Sequence, residues 1–389
     1  MSIAALMASV TGTESDNLDL GNVEVTVEAV AEAVVDKELA EVETELAVQD
    51  KEIDSIENDI EILEEKVEEL EEEIAGMEAM LAGGEFNAAL FQDKYSRAAK
   101  LAARFGAPVA ELAGTECADT SSAQLNAFAG IESFKDTAKK AGGAIKKFFV
   151  DLYNGFINWF VGLFNKMKGL ETKAKGLNAK VSGKEPKEKV NFPASASWLG
   201  GKAVDVTGSL AKVVAAGDTA AKAADANNAL KAVQSAVSAL KELGSASQEK
   251  TSSDTETFKV KVGEGHFTVV YPHTVAGLGS VSVSGMSGGE AKKDQAPLAK
   301  GVIGSMLSGV QSQAKTLQFS KLDSKALTAQ RDATIASLER MAKEDKADIA
   351  KDVAGIKAGV RAILKLQKGG QTLAADLLAA QLAAVNACF

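Results

Sequence analysis

A long heptad pattern dominates the first third of this 389-residue chain. Between Val35 and Leu81, apolar residues recur in alternating steps of four and three, and Gln49 is the only polar residue in the seam. This pattern predicts a coiled-coil helix over 35–81, about 47 residues and roughly 70 Å long at about 1.5 Å per residue. Gly83 and Gly84 mark its predicted end, because glycine commonly follows the last turn of a helix. The seam consists of Val35, Leu39, Val42, Leu46, Gln49, Ile53, Ile56, Ile60, Leu63, Val67, Leu70, Ile74, Met77 and Leu81.

Acidic residues flank this seam on both sides. Two such helices packed side by side would bring like charges together along their length, so self-pairing is disfavoured. The pattern therefore predicts a basic helical partner for the acidic coiled coil, either the basic part of the same chain or another protein. The acidic residues that follow the seam are Glu43, Asp50, Glu57, Glu64, Glu71 and Glu78. Those that precede it are Glu45, Glu52, Asp59 and Glu73, with Lys66 as the exception.

The most aromatic segment of the chain lies at 145–168. Its apolar residues repeat at helical spacing, and lysines cluster before and after it. A membrane-spanning helix is disfavoured, because a central residue such as Asp151 would cost about 2.5–3.5 kcal/mol in the bilayer. Two interpretations remain: a buried core helix, or a helix that lies on a membrane surface or in the groove of a partner. The apolar residues are Ile145, Phe149, Leu152, Phe156, Trp159 and Leu163.

The remaining pattern is helical apart from one β segment. Phe258, Val260 and Val262 alternate with polar residues, as do Phe267, Val269 and Tyr271 after a glycine-containing turn, which predicts a β hairpin over 257–271. The predicted fold class is mainly α, with a long acidic coiled-coil helix, an amphipathic helical bundle and one small β hairpin. Helices are predicted at 86–113, at 204–243 with a break near Gly217, and over 297–389; polar linkers are predicted at 114–124, 184–189 and 244–256.

These elements suggest a division of the chain into four parts. The first, 1–14, is an apolar leader or docking peptide, and the second, 15–132, is an acidic propeptide that carries the coiled coil. The third, 133–190, is the basic aromatic helical segment, and the fourth, 191–389, is a mostly helical domain with the hairpin.

The sequence offers little catalytic chemistry. A Gly-x-Ser-x-Gly match is present at 285–289, but a hydrolase of that type needs a histidine later in the chain, and both His266 and His273 precede Ser287. Cys117 and Cys388 lack the spacing of a disulfide framework or a metal site. We therefore expect a protein that is not an enzyme, with no cofactor and no metal.

Charge divides along the chain. The formal net charge is −11, with 43 Lys+Arg and 54 Asp+Glu, but residues 1–116 contain 29 acidic and 7 basic residues, a net charge of −22. Residues 117–389 contain 25 acidic and 36 basic residues, a net charge of +11. Such asymmetry is typical of an interaction tail or a removable segment.

Three small-x-Glu triplets fall at the predicted seams between these parts. Glu14 ends the leader, Glu116 lies in the polar linker, and Glu132 directly precedes the basic aromatic segment. Exposed linkers are the places where a protease can seat an extended chain. Glu14, Glu116 and Glu132 are therefore candidate proteolytic processing sites, with this chain as the substrate.

In the order of these features, the chain resembles the internal head proteins of the giant tailed phages of the phiKZ-like type. The resemblance rests on the leader that ends in GTES, the acidic coiled coil, and AGIESF leading into KKFFVDLYNGFINWFVGLFNKMKGL, and it covers about the first 180 residues. It implies that a prohead protease cuts after small-x-Glu, at Glu14, Glu116 or Glu132. It further implies that the propeptide is lost, and that the mature protein stays inside the capsid, with ejection alongside the genome in some members.

The resemblance predicts a structural protein of the virion interior that is made in the host cytoplasm and contacts capsid or scaffold proteins. Cutting after Glu132 would leave 23 acidic and 36 basic residues, a net charge of +13, which favours packaged DNA as a partner of the mature protein. The alternative is a membrane-active helical protein, such as a component of an α-type pore-forming toxin, for which the aromatic segment would supply the membrane contact.

Overall fold

A computed structural model describes residues 27–82, 87–104, 120–318, 324–341 and 349–389. The fold is mainly α, as predicted. Three long helices organise it: α1 (Val27–Ala82), which we call the acidic helix, α3 (Thr120–Val181), the aromatic helix, and α9 (Ile349–Ala387), the C-terminal helix. The shorter helices are α2 (Ala88–Arg104), α4 (Ala194–Ser197), α5 (Thr207–Ala221), α6 (Ala226–Lys241), α7 (Lys300–Gln318) and α8 (Ser324–Met341).

The acidic helix packs against the aromatic helix along its length, because the heptad seam supplies a continuous apolar stripe. Every seam residue from Val35 to Leu81 is at least partly buried, and Ile53, Ile60 and Leu70 are almost fully so. The predicted helix is confirmed, and it starts earlier in the chain, at Val27. Whether the two helices supercoil as a true coiled coil remains a prediction.

The aromatic helix is a single element of 62 residues. Its apolar face contacts the acidic helix, α7, α8 and the C-terminal helix, so that Phe149, Phe156 and Trp159 are buried. In the intact chain, residues 145–168 therefore form part of a buried core helix, which is the first of the two interpretations. At the centre of this face the hydroxyl of Tyr153 lies 3.0 Å from Thr334 Oγ1, and burial raises the pKa of this tyrosine. Within the described ranges, no helix is long and apolar enough to cross a membrane.

Helix continuity corrects the prediction of exposed linkers near the start of the aromatic helix. Residues 120–124 and the triplet at 130–132 are helical, and Ile131 and Phe134 are buried against α1 and α2. No proline interrupts 120–181, and alanines are frequent there, so the helix continues where small residues had suggested a linker. The predicted domain boundary at 132/133 consequently falls within this helix.

The β region is larger than the predicted hairpin. Strands β3 (Thr255–Val262) and β4 (Gly265–Pro272) form the hairpin, with Val262 opposite Gly265. The turn requires glycine at Gly263, which has φ +59° and whose Cβ, if present, would lie 2.0 Å from the carbonyl oxygen of Trp198. The inward side chains Val260, Phe267 and Val269 are buried, as the alternation predicted.

The named strands outside the hairpin lie at positions that the sequence did not predict as strand. Strand β2 (Ser245–Thr251) pairs with β3, so the interpretation of 244–256 as a linker was wrong. Every β2 side chain is exposed, so the strand lacks the alternation of apolar and polar residues that predicts a strand from sequence. Backbone hydrogen bonds to β3 hold it in place. A short β5 (Ser287–Gly288) completes this sheet in the order β2-β3-β4-β5, and β1 (Val190–Phe192) pairs with β6 (Lys292–Gln295).

The break in the alanine-rich region also differs from the prediction. It lies between Ala221 and Ala226, where Asp225 caps α6 by accepting a hydrogen bond from the amide of Asn228. Gly217 lies inside α5 instead. A Cβ there would lie 2.0 Å from Nε2 of Gln367, so this glycine permits close helix packing and does not end the helix.

Candidate functional site

The most organised polar feature of the described structure is a line of carboxylates on the acidic helix. These residues, which we call the carboxylate row, occupy the position directly after alternate seam residues and therefore recur every seven residues along one edge of the helix. They face the aromatic helix and the C-terminal helix. The row consists of Asp36, Glu43, Asp50, Glu57, Glu64, Glu71 and Glu78.

Lysines of the aromatic helix bind the two ends of the carboxylate row. Lys173 Nζ lies 2.6 Å from Asp36 Oδ1, and Lys166 Nζ lies 3.0 Å from Glu43 Oε1. At the other end, Lys135 Nζ lies 2.7 Å from Glu78 Oε1. The acidic helix and the aromatic helix run antiparallel. Carboxylates with higher residue numbers therefore pair with lysines that have lower residue numbers.

The middle of the carboxylate row is bound by the C-terminal helix. Four cations on one face of that helix, Lys357, Arg361, Lys365 and Lys368, form what we call the cation row. Their distances to the carboxylate row are 2.8 Å for Lys368–Asp50, 3.0 Å for Lys365–Glu57, 2.8 Å for Arg361–Glu64 and 3.4 Å for Lys357–Glu64. In this structure the cations that contact the middle of the carboxylate row belong to the same chain, and a partner in another protein stays a prediction.

The contacts at the middle of the carboxylate row differ from ordinary surface ion pairs, because Glu57, Glu64 and Arg361 are largely buried. Burial raises the pKa of Glu57. Burial also raises the pKa of Glu71, and the positive charge of Lys357 partly offsets that increase. For Glu57 the opposing influence is Lys365, which stabilises the ionised form. A charge in this environment is costly unless it is paired, so each helix constrains the position of the other.

The aromatic helix contributes a second repeat that the sequence analysis overlooked. Gly155, Gly162, Gly169 and Gly176 recur every seven residues, and we call them the glycine column. A Cβ on Gly162 would lie 3.0 Å from Leu46 Cδ2, and one on Gly169 would lie 2.5 Å from Leu39 Cδ2. The spacing was legible in the sequence, because it matches the period of the acidic seam.

Two clefts lie beside the acidic helix. One, of about 490 Å³, is bounded by Asp50, Asp54 and Glu57 on one wall, and by Lys365, Lys368, Thr372 and the loop 279–285 on the other. The second, of about 1300 Å³, separates 61–78 of the acidic helix from α8 and the C-terminal helix, and carboxylates and basic side chains both line it.

The structure also joins two residues that the sequence analysis kept apart. Ser287 Oγ lies 3.2 Å from Nε2 of His266 and 3.2 Å from the carbonyl oxygen of the same histidine. The order of His266 and Ser287 along the chain excludes only the arrangement of a Gly-x-Ser-x-Gly hydrolase. The pairing of β4 with β5 brings the two residues together. Ser287 is exposed, and neither residue lines the two clefts. His273 lies elsewhere, 3.7 Å from Glu256.

No cluster of three or more metal-ligating side chains occurs among the described residues. Cys388 is buried, and burial raises the pKa of its thiol. Its sulfur accepts a hydrogen bond from the amide of Leu298, so this cysteine has a packing role at the end of the C-terminal helix. Cys117 lies outside the described residues.

Comparison with known proteins gives one match. The family of phiKZ-like phage internal head proteins matches residues 48–389 of the chain. The chain belongs to that family. No curated protein and no solved structure matches it.

The family match corrects the extent of the resemblance drawn from sequence. That resemblance covered about the first 180 residues, whereas the match reaches the last residue and begins inside the acidic helix. The helical domain with the hairpin is therefore part of what defines an internal head protein. The cation row and most of the carboxylate row lie within the matched range.

The candidate processing sites of this internal head protein fall in different settings. Glu14 and Glu116, with the predicted docking peptide, lie outside the described residues. Glu132 lies in the aromatic helix, 2.9 Å from Lys135 Nζ, and the same lysine binds Glu78 of the acidic helix. These two carboxylates raise the pKa of Lys135. Cleavage at Glu132 thus requires the helix to open locally, because a protease binds an extended chain.

Proposed function

We propose that this structural protein of the phage head interior is made as a precursor, and that a prohead protease removes its acidic segment during head maturation. The mature remainder then stays beside the packaged DNA, and ejection with the genome is its proposed later fate. Capsid or scaffold proteins are its proposed assembly partners, and the host cytoplasm is the place of assembly. We propose no catalytic role.

One observation supports this proposal above the others: the acidic helix is bound along one edge by paired charges. Its partners are contributed by the aromatic and C-terminal helices, at both ends and in the middle of the carboxylate row. Loss of residues 1–116 or 1–132 leaves a chain with a net charge of +11 or +13, which suits a location beside DNA.

The alternative of a membrane-active protein is supported by no comparable observation. It depends on the apolar face of the aromatic helix, and that face is buried in the intact chain. Val161 and Phe164 are its large exposed residues within the described structure, and they do not form a broad apolar patch.

The test is the intact mass and N-terminal sequence of the protein taken from its native particle. A start at Ser15, Cys117 or Ser133 is expected from processing at the three candidate sites, and a start at Met1 or Ser2 would contradict the proposal. Starts at Cys117 and Ser133 would each signify loss of the acidic helix, whereas a start at Ser15 would retain it.

Matched variants identify the site. Glu116→Gln and Glu132→Gln, each produced with the protease, are expected to block the corresponding cut. The small-x-Glu triplets that end at Glu249, in strand β2, and at Glu290 serve as internal controls within the folded domain. Cutting there at an equal rate would show that the protease does not distinguish the proposed sites.

A further inference from the structure

The cation row is more densely charged than the carboxylate row that faces it. Its four residues span 357–368, about 16 Å at about 1.5 Å per residue, and lie on one face of the C-terminal helix. The carboxylate row offers one carboxylate per seven residues, or about 10.5 Å. Asp50, Glu57 and Glu64 are therefore shared among four cations, and Glu64 binds both Lys357 and Arg361. The ion pairs of the carboxylate row therefore only partly match this surface.

Neutral hydrogen-bonding groups lie beside the cation row. The cleft of about 490 Å³ places the loop 279–285 opposite Asp50 and Glu57, next to Lys365, Lys368 and Thr372. Ser280 and Ser282 in that loop are exposed. Lysine, arginine, hydroxyl groups and backbone amides are the groups that contact phosphates in protein–DNA complexes.

We propose that the cation row, with the adjoining loop 279–285, is a binding site for duplex DNA, and that the acidic helix covers it in the intact chain. Duplex DNA carries one charge per about 1.7 Å of its axis, so it saturates the row where the acidic helix does not. Arg361 adds the planar guanidinium that binds phosphate through two parallel hydrogen bonds. The relevance to the phage head rests on the proposed function, but the binding site itself does not.

Two variants of the full chain separate this site from a simple change in net charge. The first, Asp50→Asn/Glu57→Gln/Glu64→Gln, neutralises the three carboxylates that form ion pairs with the cation row, so that only the apolar seam holds this stretch of the acidic helix over it. The second, Glu45→Gln/Glu52→Gln/Asp59→Asn, neutralises three exposed carboxylates on the opposite edge of the same helix, for which the described structure gives no ion pair. Each changes the net charge from −11 to −8 with the same kinds of substitution.

The measurement is binding of a short fluorescent DNA duplex as a function of salt. The first variant is expected to bind with a log–log slope of about −3.6, as for about four phosphates, so its affinity falls roughly 100-fold between about 50 and 200 mM salt. The unmodified chain and the second variant are expected to bind far more weakly. Equal binding by the two variants would overturn the proposal, because net charge alone would then account for it.

A third variant identifies the surface. Lys357→Gln, Arg361→Gln, Lys365→Gln and Lys368→Gln, added to the first variant, are expected to abolish the binding that it gained. Retained binding would place the DNA elsewhere and overturn the proposal. The first variant could fail to bind DNA and instead form a complex with the unmodified chain, which light scattering would detect. That result would overturn the proposal and identify the occupant of the cation row as the acidic helix of a second copy.

Circular dichroism checks that the first variant keeps its helices. If the first variant loses its helices, the single variants Glu57→Gln and Glu52→Gln give the same comparison with one carboxylate each. The expected log–log slope of DNA affinity against salt for Glu57→Gln is about −0.9. No difference between these two would overturn the proposal. Mass analysis of the protein from particles is independent of these assays, so failure of DNA binding leaves the processing proposal intact, and the reverse also holds.

Discussion

The acidic helix and the C-terminal helix are held to the rest of the protein in different ways. The acidic helix contacts its partners through leucine and isoleucine tips over the glycine column and through paired charges. The C-terminal helix packs against α6 through glycine and alanine, with Gly355 beside Ala226 and Gly359 beside Ala229. The first interface is long and adjustable, because flexible side chains meet there. The second is short-range and rigid, because backbones approach each other closely.

This difference implies different responses to solution conditions. Paired charges weaken as salt screens them, whereas close packing of small residues does not depend on ionic strength. The charged part of the acidic-helix interface should therefore weaken with salt, whereas its apolar seam and the packing of the C-terminal helix on α6 should not.

Overpacking the rigid interface should have the largest effect. A Cβ on Gly355 would lie 2.3 Å from Ala226 Cβ and 3.2 Å from its Cα, so Gly355→Leu forces backbone movement. We expect a loss of about 3 kcal/mol in the free energy of unfolding, measured with urea. Gly304→Leu in α7, where nothing lies within 4 Å, is the control and should change stability by less than about 1 kcal/mol. Similar losses from both would show that the interface is not close-packed.

Overpacking the adjustable interface should cost less. Gly162→Leu meets the side-chain ends of Leu46 and Gln49, which can move, and we expect a loss of about 2 kcal/mol in the free energy of unfolding. Gly176→Leu is the matched control in the same column, because no atom lies within 4 Å of its added Cβ. A loss from Gly162→Leu that equals or exceeds that of Gly355→Leu would remove the proposed contrast between the interfaces.

Removing one paired carboxylate should give a smaller, salt-dependent effect. Glu64→Gln leaves Lys357 and Arg361 without their carboxylate, and we expect a loss of about 1 kcal/mol in dilute salt. The loss should shrink at about 1 M salt, where charges are screened within about 3 Å. Glu65→Gln, at the exposed neighbouring position, should have little effect in either condition. A salt-independent loss would indicate packing as the cause.

Titration of Glu57 should give the smallest effect, and its sign is fixed. Burial raises the pKa of this carboxyl in the folded state, so the folded chain binds the proton more tightly than the unfolded chain does. Relative to Glu57→Gln, the unmodified protein should therefore gain stability as the pH falls from about 7 to about 5. Urea unfolding at both values measures the difference, with the exposed Asn58→Gln variant as a control that does not titrate. The opposite sign would mean that Lys365 outweighs burial.

Residue periodicity accounts for the parts of this fold that the sequence predicted. The seam of the acidic helix and the alternation of the hairpin each place apolar residues on one face, and both were found where expected. The flanking carboxylates predicted a basic helical partner, but a one-dimensional pattern could not choose between this chain and another. That choice depends on residues such as Lys365, which lie some three hundred positions away.

Elements that depend on backbone pairing or on close approach were missed. Strand β2 has no buried side chain and is fixed by its hydrogen bonds to β3. Gly217 was predicted to break the helix. Its actual role is to leave room for the side chain of Gln367, and that contact between distant residues has no signal in the sequence. The contact between Ser287 and His266 likewise follows from the pairing of β4 with β5.

The placement of all the partner cations beyond residue 132 separates cutting from release. A cut between α2 and the aromatic helix would break one peptide bond, yet it would leave these ion pairs of the carboxylate row in place. The immediate product would be a nicked complex, in which the two pieces remain bound but have lost the high effective concentration that the intact chain gave them. Its lifetime would depend on ionic strength, on dilution and on the apolar seam, and only the departure of the acidic fragment would make the change permanent.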